Sequence, residues 1–124
     1  MLEQIEFEPG LVKVTFTGDV VFNDLAVVSN KILNHPNFQD LERQLWRFET
    51  VKKVDLDAEE IQRFIEAALK AKNRHPESKI AIVAGTKAVF GLARMYSAYA
   101  DQMPWETLVF SGIDEALDWL NPSS

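Results

Sequence analysis

The stretch Lys79-Ile80-Ala81-Ile82-Val83-Ala84-Gly85-Thr86 decides how this chain folds. From Lys79 to Ala84 the sequence is a short, nearly continuous apolar run, the pattern of a strand covered on both faces rather than one. Gly85-Thr86 then opens a helix expected to run to about Ala100, with the Thr86 hydroxyl placed to cap it. A doubly covered strand needs parallel neighbours joined by crossover helices, and both flanks supply them. Upstream, Ile61, Phe64, Ile65, Ala68 and Leu69 recur at helical spacing, ahead of a stop before His75-Pro76. Asp57-Ala58-Glu59-Glu60 introduces that helix as a cap with a carboxylate three residues on, a capping box. Downstream, Thr107-Leu108-Val109-Phe110 reads as a strand, and Ser111 as the cap of a last helix carrying Ile113, Ala116, Leu117 and Leu120.

Towards the N-terminus, Leu45-Trp46-Arg47-Phe48-Glu49 reads as a strand. Before it, Phe22, Leu25, Val28, Ile32 and Leu33 mark a helix that stops near His35, just ahead of Pro36. Ile5 and Phe7 alternate with Gln4, Glu6 and Glu8; Val12, Val14 and Phe16 alternate with Lys13, Thr15 and Thr17. With Pro9-Gly10 between them, these runs predict an antiparallel hairpin with a polar outer face. The order is ββαβαβαβα: an α/β fold with one five-stranded mixed sheet, parallel after the hairpin, and about four helices. Residues 1–121 are expected to form one domain, and residues 122–124 a loose tail.

The chain has 124 residues, no cysteine, and 13 Lys+Arg against 19 Asp+Glu, for a net charge of −6. The size suits one domain with its own core. The absence of cysteine excludes a disulfide scaffold and fits a reducing, cytoplasmic location. No apolar run approaches bilayer length, and the N-terminus shows no signal pattern. The acidic excess lies wholly in residues 1–62, with 6 basic and 12 acidic residues. Such a surface repels phosphate backbones and argues against nucleic acid as a partner.

Most catalytic chemistry lacks its residues. His35 and His75 both precede proline at expected helix ends, where a donor meets unpaired carbonyls. Two histidines and no cysteine leave no zinc ligand set, and Asp55-Leu56-Asp57 lacks the rest of a calcium loop. No Gly-x-Ser-x-Gly elbow is present. Asp55, Asp57, Glu59 and Glu60 invite an acid–base reading, but capping accounts for Asp57 and Glu60. Gly85-Thr86-Lys87 opens a helix whose N-terminus favours anions, yet it lacks the length and order of a phosphate loop. No cofactor is implied.

The helix from Thr86 to Ala100 is anomalous because it is apolar nearly all round. Val89, Leu92, Ala93, Tyr96, Tyr99 and Ala100 make a core stripe, and Gly91, Met95 and Ala98 a second strip, with Phe90 at its flank. Such a helix is covered on both sides: by its own domain, by another subunit, or by a ligand. Phe90, Gly91, Met95, Tyr96, Ala98 and Tyr99, followed by Met103 and Trp105, are therefore candidates for an oligomer surface or an apolar-ligand surface.

The runs Ile80-Ala81-Ile82-Val83-Ala84, Phe90-Gly91-Leu92-Ala93-Arg94-Met95-Tyr96, Val109-Phe110 and Glu115-Ala116-Leu117-Asp118-Trp119-Leu120, with Phe16-Thr17-Gly18-Asp19-Val20, resemble a bacterial group. These are the small standalone STAS-like proteins, related to the sporulation anti-sigma-factor antagonist and linked with CRAL-TRIO lipid-binding domains. The resemblance implies a five-stranded sheet with helices and a non-enzymatic switching or docking role. Antagonists of this type carry a phosphorylatable serine at the start of the helix after the third strand. Here that region reads Val54-Asp55-Leu56-Asp57-Ala58-Glu59, without a hydroxyl.

The leading expectation is therefore a STAS-like protein-interaction module, not an enzyme, docking another protein or a second copy of itself. Open α/β sheets place their sites at the C-terminal ends of parallel strands. That rim comprises Asp55, Asp57, Gly85, Thr86 and Lys87, with Arg94 further along the helix. The rival expectation is a carrier or sensor holding an apolar molecule beside Phe90, Tyr96 and Tyr99.

Overall fold

The computed structural model describes residues 1–69, 78–99 and 105–121. Its elements run β1 (Leu2–Glu8), β2 (Leu11–Val21), α1 (Phe22–Leu33), a 3-10 turn (Phe38–Asp40), β3 (Arg43–Asp55), α2 (Ala58–Leu69), β4 (Lys79–Ala84), α3 (Lys87–Tyr99), β5 (Glu106–Phe110) and α4 (Ile113–Leu120). The five strands lie in sequence order, β1-β2-β3-β4-β5. β1 and β2 are antiparallel, joined through Pro9 and Gly10, and Gly10 takes the positive φ of +73° that the turn requires. Every later pair is parallel. The expected α/β architecture is present.

A sheet that advances one strand at a time, with crossovers of one hand, delivers all its crossover helices to the same face. The core shows this. Leu25, Val28 and Ile32 of α1, Ile61 and Ile65 of α2, and Val89 of α3 join one buried cluster with Val12, Val14, Phe16, Trp46, Phe48, Ile80 and Ile82 of the sheet. The opposite face has a smaller cluster, in which Ala116 and Leu120 of α4 cover Leu45, Ala81 and Val83. β4 thus has helices on both sides, which is why its sequence is apolar without alternation.

β3 is longer than the expected Leu45–Glu49. Its pairing with β2 slips twice, between Thr15 and Thr17 and between Gly18 and Asp19, each slip placing one extra residue on β3. Each extra residue flips the strand's inward parity. The inward residues therefore run Gln44, Trp46, Phe48, then Val51, then Val54. The three-residue steps match neither strand nor helix period, so alternation alone stops at Glu49. β4 ends opposite Phe48, and the chain turns away with Gly85 pressed on the first irregularity: a Cβ at Gly85 would lie 2.1 Å from the Glu49 carbonyl oxygen.

Three further expectations are corrected. Trp105, offered as part of an oligomer or apolar-ligand surface, is buried in the main core at 7% exposure and does not line the cavity beneath α2. The cap of α4 is Gly112, whose carbonyl accepts from the Ala116 N–H, rather than Ser111. α1 ends at Leu33, and His35 does not serve its carbonyls. The His35 ring stacks on Phe7 with centroids 3.9 Å apart, and its Nδ1 accepts the Asn37 N–H at 3.1 Å. His75, its helix stop and residues 122–124 lie outside the described residues.

Gly85→Ala is expected to destabilise the fold by at least the ~1–3 kcal/mol typical of overpacking, because its neighbour is backbone and cannot turn aside. Thermal or urea unfolding measures this. A midpoint within error of wild type would contradict the close approach.

Candidate functional site

Beneath α2, between α1 and α3, the main core does not close. A cavity of about 110 Å³ remains, and the 18 residues around it carry no charge. Its floor is Gln44, Trp46 and Phe48 of β3 with Ile80 and Ile82 of β4. Leu25, Ser29, Ile32 and Leu33 of α1 form one wall, and Val89, Leu92, Ala93 and Tyr96 of α3 the other. Ile61, Phe64 and Ala67 of α2 roof it, and Val54 and Leu56 close the end where β3 leads into α2.

The aromatic rings set its shape. Phe64 descends from α2 to meet Trp46 edge-on at 6.0 Å and Tyr96 at 5.7 Å between centroids. Phe16 stacks beneath Trp46 at 6.0 Å and Phe48 at 4.8 Å. Rigid rings propping a roof against a floor keep the space from collapsing, since they fill area without bending to fill corners.

Polar capacity is confined to Ser29, Gln44 and Tyr96. Gln44 is only 3% exposed, and its Oε1 accepts the Trp46 indole N–H at 2.9 Å. An indole nitrogen only donates, so this bond fixes which end of the amide faces Trp46.

The two halves of the expected rim are staggered along the sheet. β4 stops opposite Phe48, whereas β3 continues seven residues further, to Asp55 opposite Val21. Two of those seven are the extra residues, so Asp55 lies about five strand steps, roughly 16 Å, beyond the end of β4. Asp57 caps α2: its Oδ1 accepts the Glu60 N–H at 2.8 Å, and its own N–H donates to Glu60 at 3.2 Å. The Thr86 hydroxyl likewise accepts the Val89 N–H at 3.2 Å. Both capping expectations hold. Lys87, Gly91, Arg94, Met95 and Ala98 are exposed along one side of α3, with Met95 at 36%. Tyr96 lines the cavity and Phe90 packs on the core from outside it. The Tyr99 side chain and Met103 lie outside the described residues.

Periodicity on α3 pointed to Tyr96 but missed the cavity floor. One signal was present: Gln44, Trp46 and Phe48 share strand parity, so a polar residue stands in an inward-facing row. Among the described residues, no three of His, Asp or Glu converge to hold a metal ion, and no helix is long and apolar enough to cross a membrane.

No protein family model matches the sequence. No curated protein matches it either. Solved structures do share the fold. An uncharacterized protein of the DUF3478 family with a SpoIIAA-like fold, from Shewanella loihica PV-4, superposes with a TM-score of 0.58 at 15% identity, covering 97% of this chain and 92% of that one. The anti-sigma factor antagonist SpoIIAA in its unphosphorylated form superposes with a TM-score of 0.61 at 15% identity, covering 100% and 99%. At this identity the likeness establishes a SpoIIAA-like, STAS-type fold.

Replacing Asp57 with Ala removes a helix cap and is expected to cost about 1 kcal/mol. Chemical denaturation measures it. A loss several times larger would give Asp57 a role beyond the start of α2.

Proposed function

We propose that this domain binds rather than transforms, and that its ligand is a small apolar molecule held in the cavity beneath α2. One observation carries the reading. Protein interiors pack as densely as organic crystals and leave few voids larger than a water molecule. Here a space of about 110 Å³, partly open to solvent, is lined almost wholly by apolar surface that a ligand would remove from water. Its size approaches that of an engineered apolar cavity of about 150 Å³ that stays dry and binds benzene. A floor and two walls of uncharged side chains offer water few partners, so an apolar molecule that displaces it gains contact at little polar cost.

The arrangement favours binding over catalysis. At the start of α2, Asp57 and Glu60 are engaged in capping and Glu59 pairs with Arg63, and the His35 ring is engaged by Phe7 and the Asn37 N–H. A cytoplasmic placement belongs to the same reading and rests on the cysteine-free sequence.

A second reading, docking of a protein or of a second copy, has its own support. Lys87, Gly91, Arg94, Met95 and Ala98 present an exposed mixed strip on α3, and the fold is one that an anti-sigma factor antagonist uses. In this reading Lys87 and Arg94 flank the contact, and Asp55 and Asp57 lie apart from it. Control by phosphorylation at the start of α2 is not part of it, because Val54 to Glu60 contains no hydroxyl.

Titration with toluene, followed by methyl NMR shifts of Ile61, Ile82 and Leu92, tests the cavity. Ala93→Leu fills the space and is expected to weaken toluene at least 10-fold while leaving the unfolding midpoint unchanged or raised. Toluene shifts confined to surface methyls would refute the assignment. For the second reading, light scattering at micromolar concentration is expected to show a dimer that Met95→Glu returns to monomer. A monomeric wild type rules out the self-docking form.

A further inference from the structure

We infer that Gln44 selects the ligand: the cavity takes a small, uncharged molecule with an apolar body and one hydrogen-bond-accepting oxygen, such as a ketone, aldehyde or ester. The inference rests on the cavity reading above and adds a head group to it. Gln44 lies on the cavity floor, 97% removed from solvent by its 3% exposure. Its oxygen is committed to the Trp46 indole, which has nothing to offer but a donor. The amide therefore cannot turn over without leaving that buried N–H without an acceptor, at a cost of about 1–3 kcal/mol. Its NH₂ end is left as the available group, and no described residue accepts from it. Nε2 is not closed off from solvent, so water can serve it while the cavity is empty, and a ligand that displaces that water without supplying an acceptor leaves the donor unmatched. In a cavity otherwise lined by hydrocarbon and aromatic rings, the replacement acceptor is an oxygen carried in by the ligand.

Charge narrows the class. No lining residue is cationic, so a carboxylate or phosphate would enter without a counter-ion against an apolar lining. A neutral carbonyl accepts the same hydrogen bond without that penalty. Gln44 sits opposite Val12 and Ile80, at the N-terminal end of the parallel strands, whereas Val54 and Leu56 close the far end. The ligand accordingly lies along β3, with its oxygen near Gln44 and its apolar body under Phe64.

Acetophenone and cumene test this, since they have nearly the same shape and differ in the carbonyl oxygen. In the wild-type protein both should bind, with benzoate at least 10-fold weaker than acetophenone. Gln44→Met should weaken acetophenone about 10-fold, the effect of one neutral hydrogen bond, and leave cumene unchanged or tighter. A measurement on the unaltered protein guards against a variant that fails to fold: the Gln44 side-chain amide protons should move downfield with acetophenone and stay in place with cumene. Binding of both molecules with equal losses in Gln44→Met, or an amide signal indifferent to acetophenone, would overturn the role of Gln44 while keeping the cavity. Binding of neither would overturn the cavity reading itself.

Discussion

Each strand of this sheet lies beside its neighbour in sequence, and from β2 onward each connection crosses in the same sense. That constraint places α1, α2 and α3 together on one face and leaves α4 to cover part of the other. Three helices must then share the width of one twisted sheet. α1 is anchored on β2 through Leu25, Val28 and Ile32, and α3 on β4 through Val89, with α2 between them. Phe64 stands on Trp46 and against Tyr96, so α2 is held up by rings instead of settling on the strands. The cavity follows from this geometry.

The long third strand matters as much. Its two slips of register against β2 carry the inward row from Phe48 through Val51 to Val54, and so extend the cavity floor towards the start of α2. The same irregularity receives Gly85, whose lack of a side chain lets the turn after β4 rest on the Glu49 carbonyl. Fold and site meet here, because the turn that ends β4 also aims α3, and with it one wall of the cavity.

Polar groups around this core have two kinds of occupation. Asp57, Glu60 and Thr86 are engaged with the first turns of their helices, which is ordinary structural work for residues that otherwise resemble a catalytic or anion-binding set. Gln44 differs. Its amide oxygen is engaged by Trp46, and the residue stands on the cavity floor. A polar side chain in an apolar floor is costly unless matched, so its placement points to recognition more than to stability.

The sequence by itself determined the element order, the antiparallel hairpin and the parallel remainder. It also determined the Asp57 and Thr86 caps, since these depend on local spacing that chain neighbours impose whatever the rest of the molecule does. It misplaced the end of β3, because two extra residues break the period from which strands are read. It offered Trp105 to an oligomer or ligand surface, because burial there depends on which element covers it. The cavity could not be read from any single segment: its lining comes from α1, β3, α2, β4 and α3, each presenting a normal apolar stripe. Whether such stripes meet or leave a gap is decided by helix spacing over the sheet, which is a property of the packed tertiary structure alone.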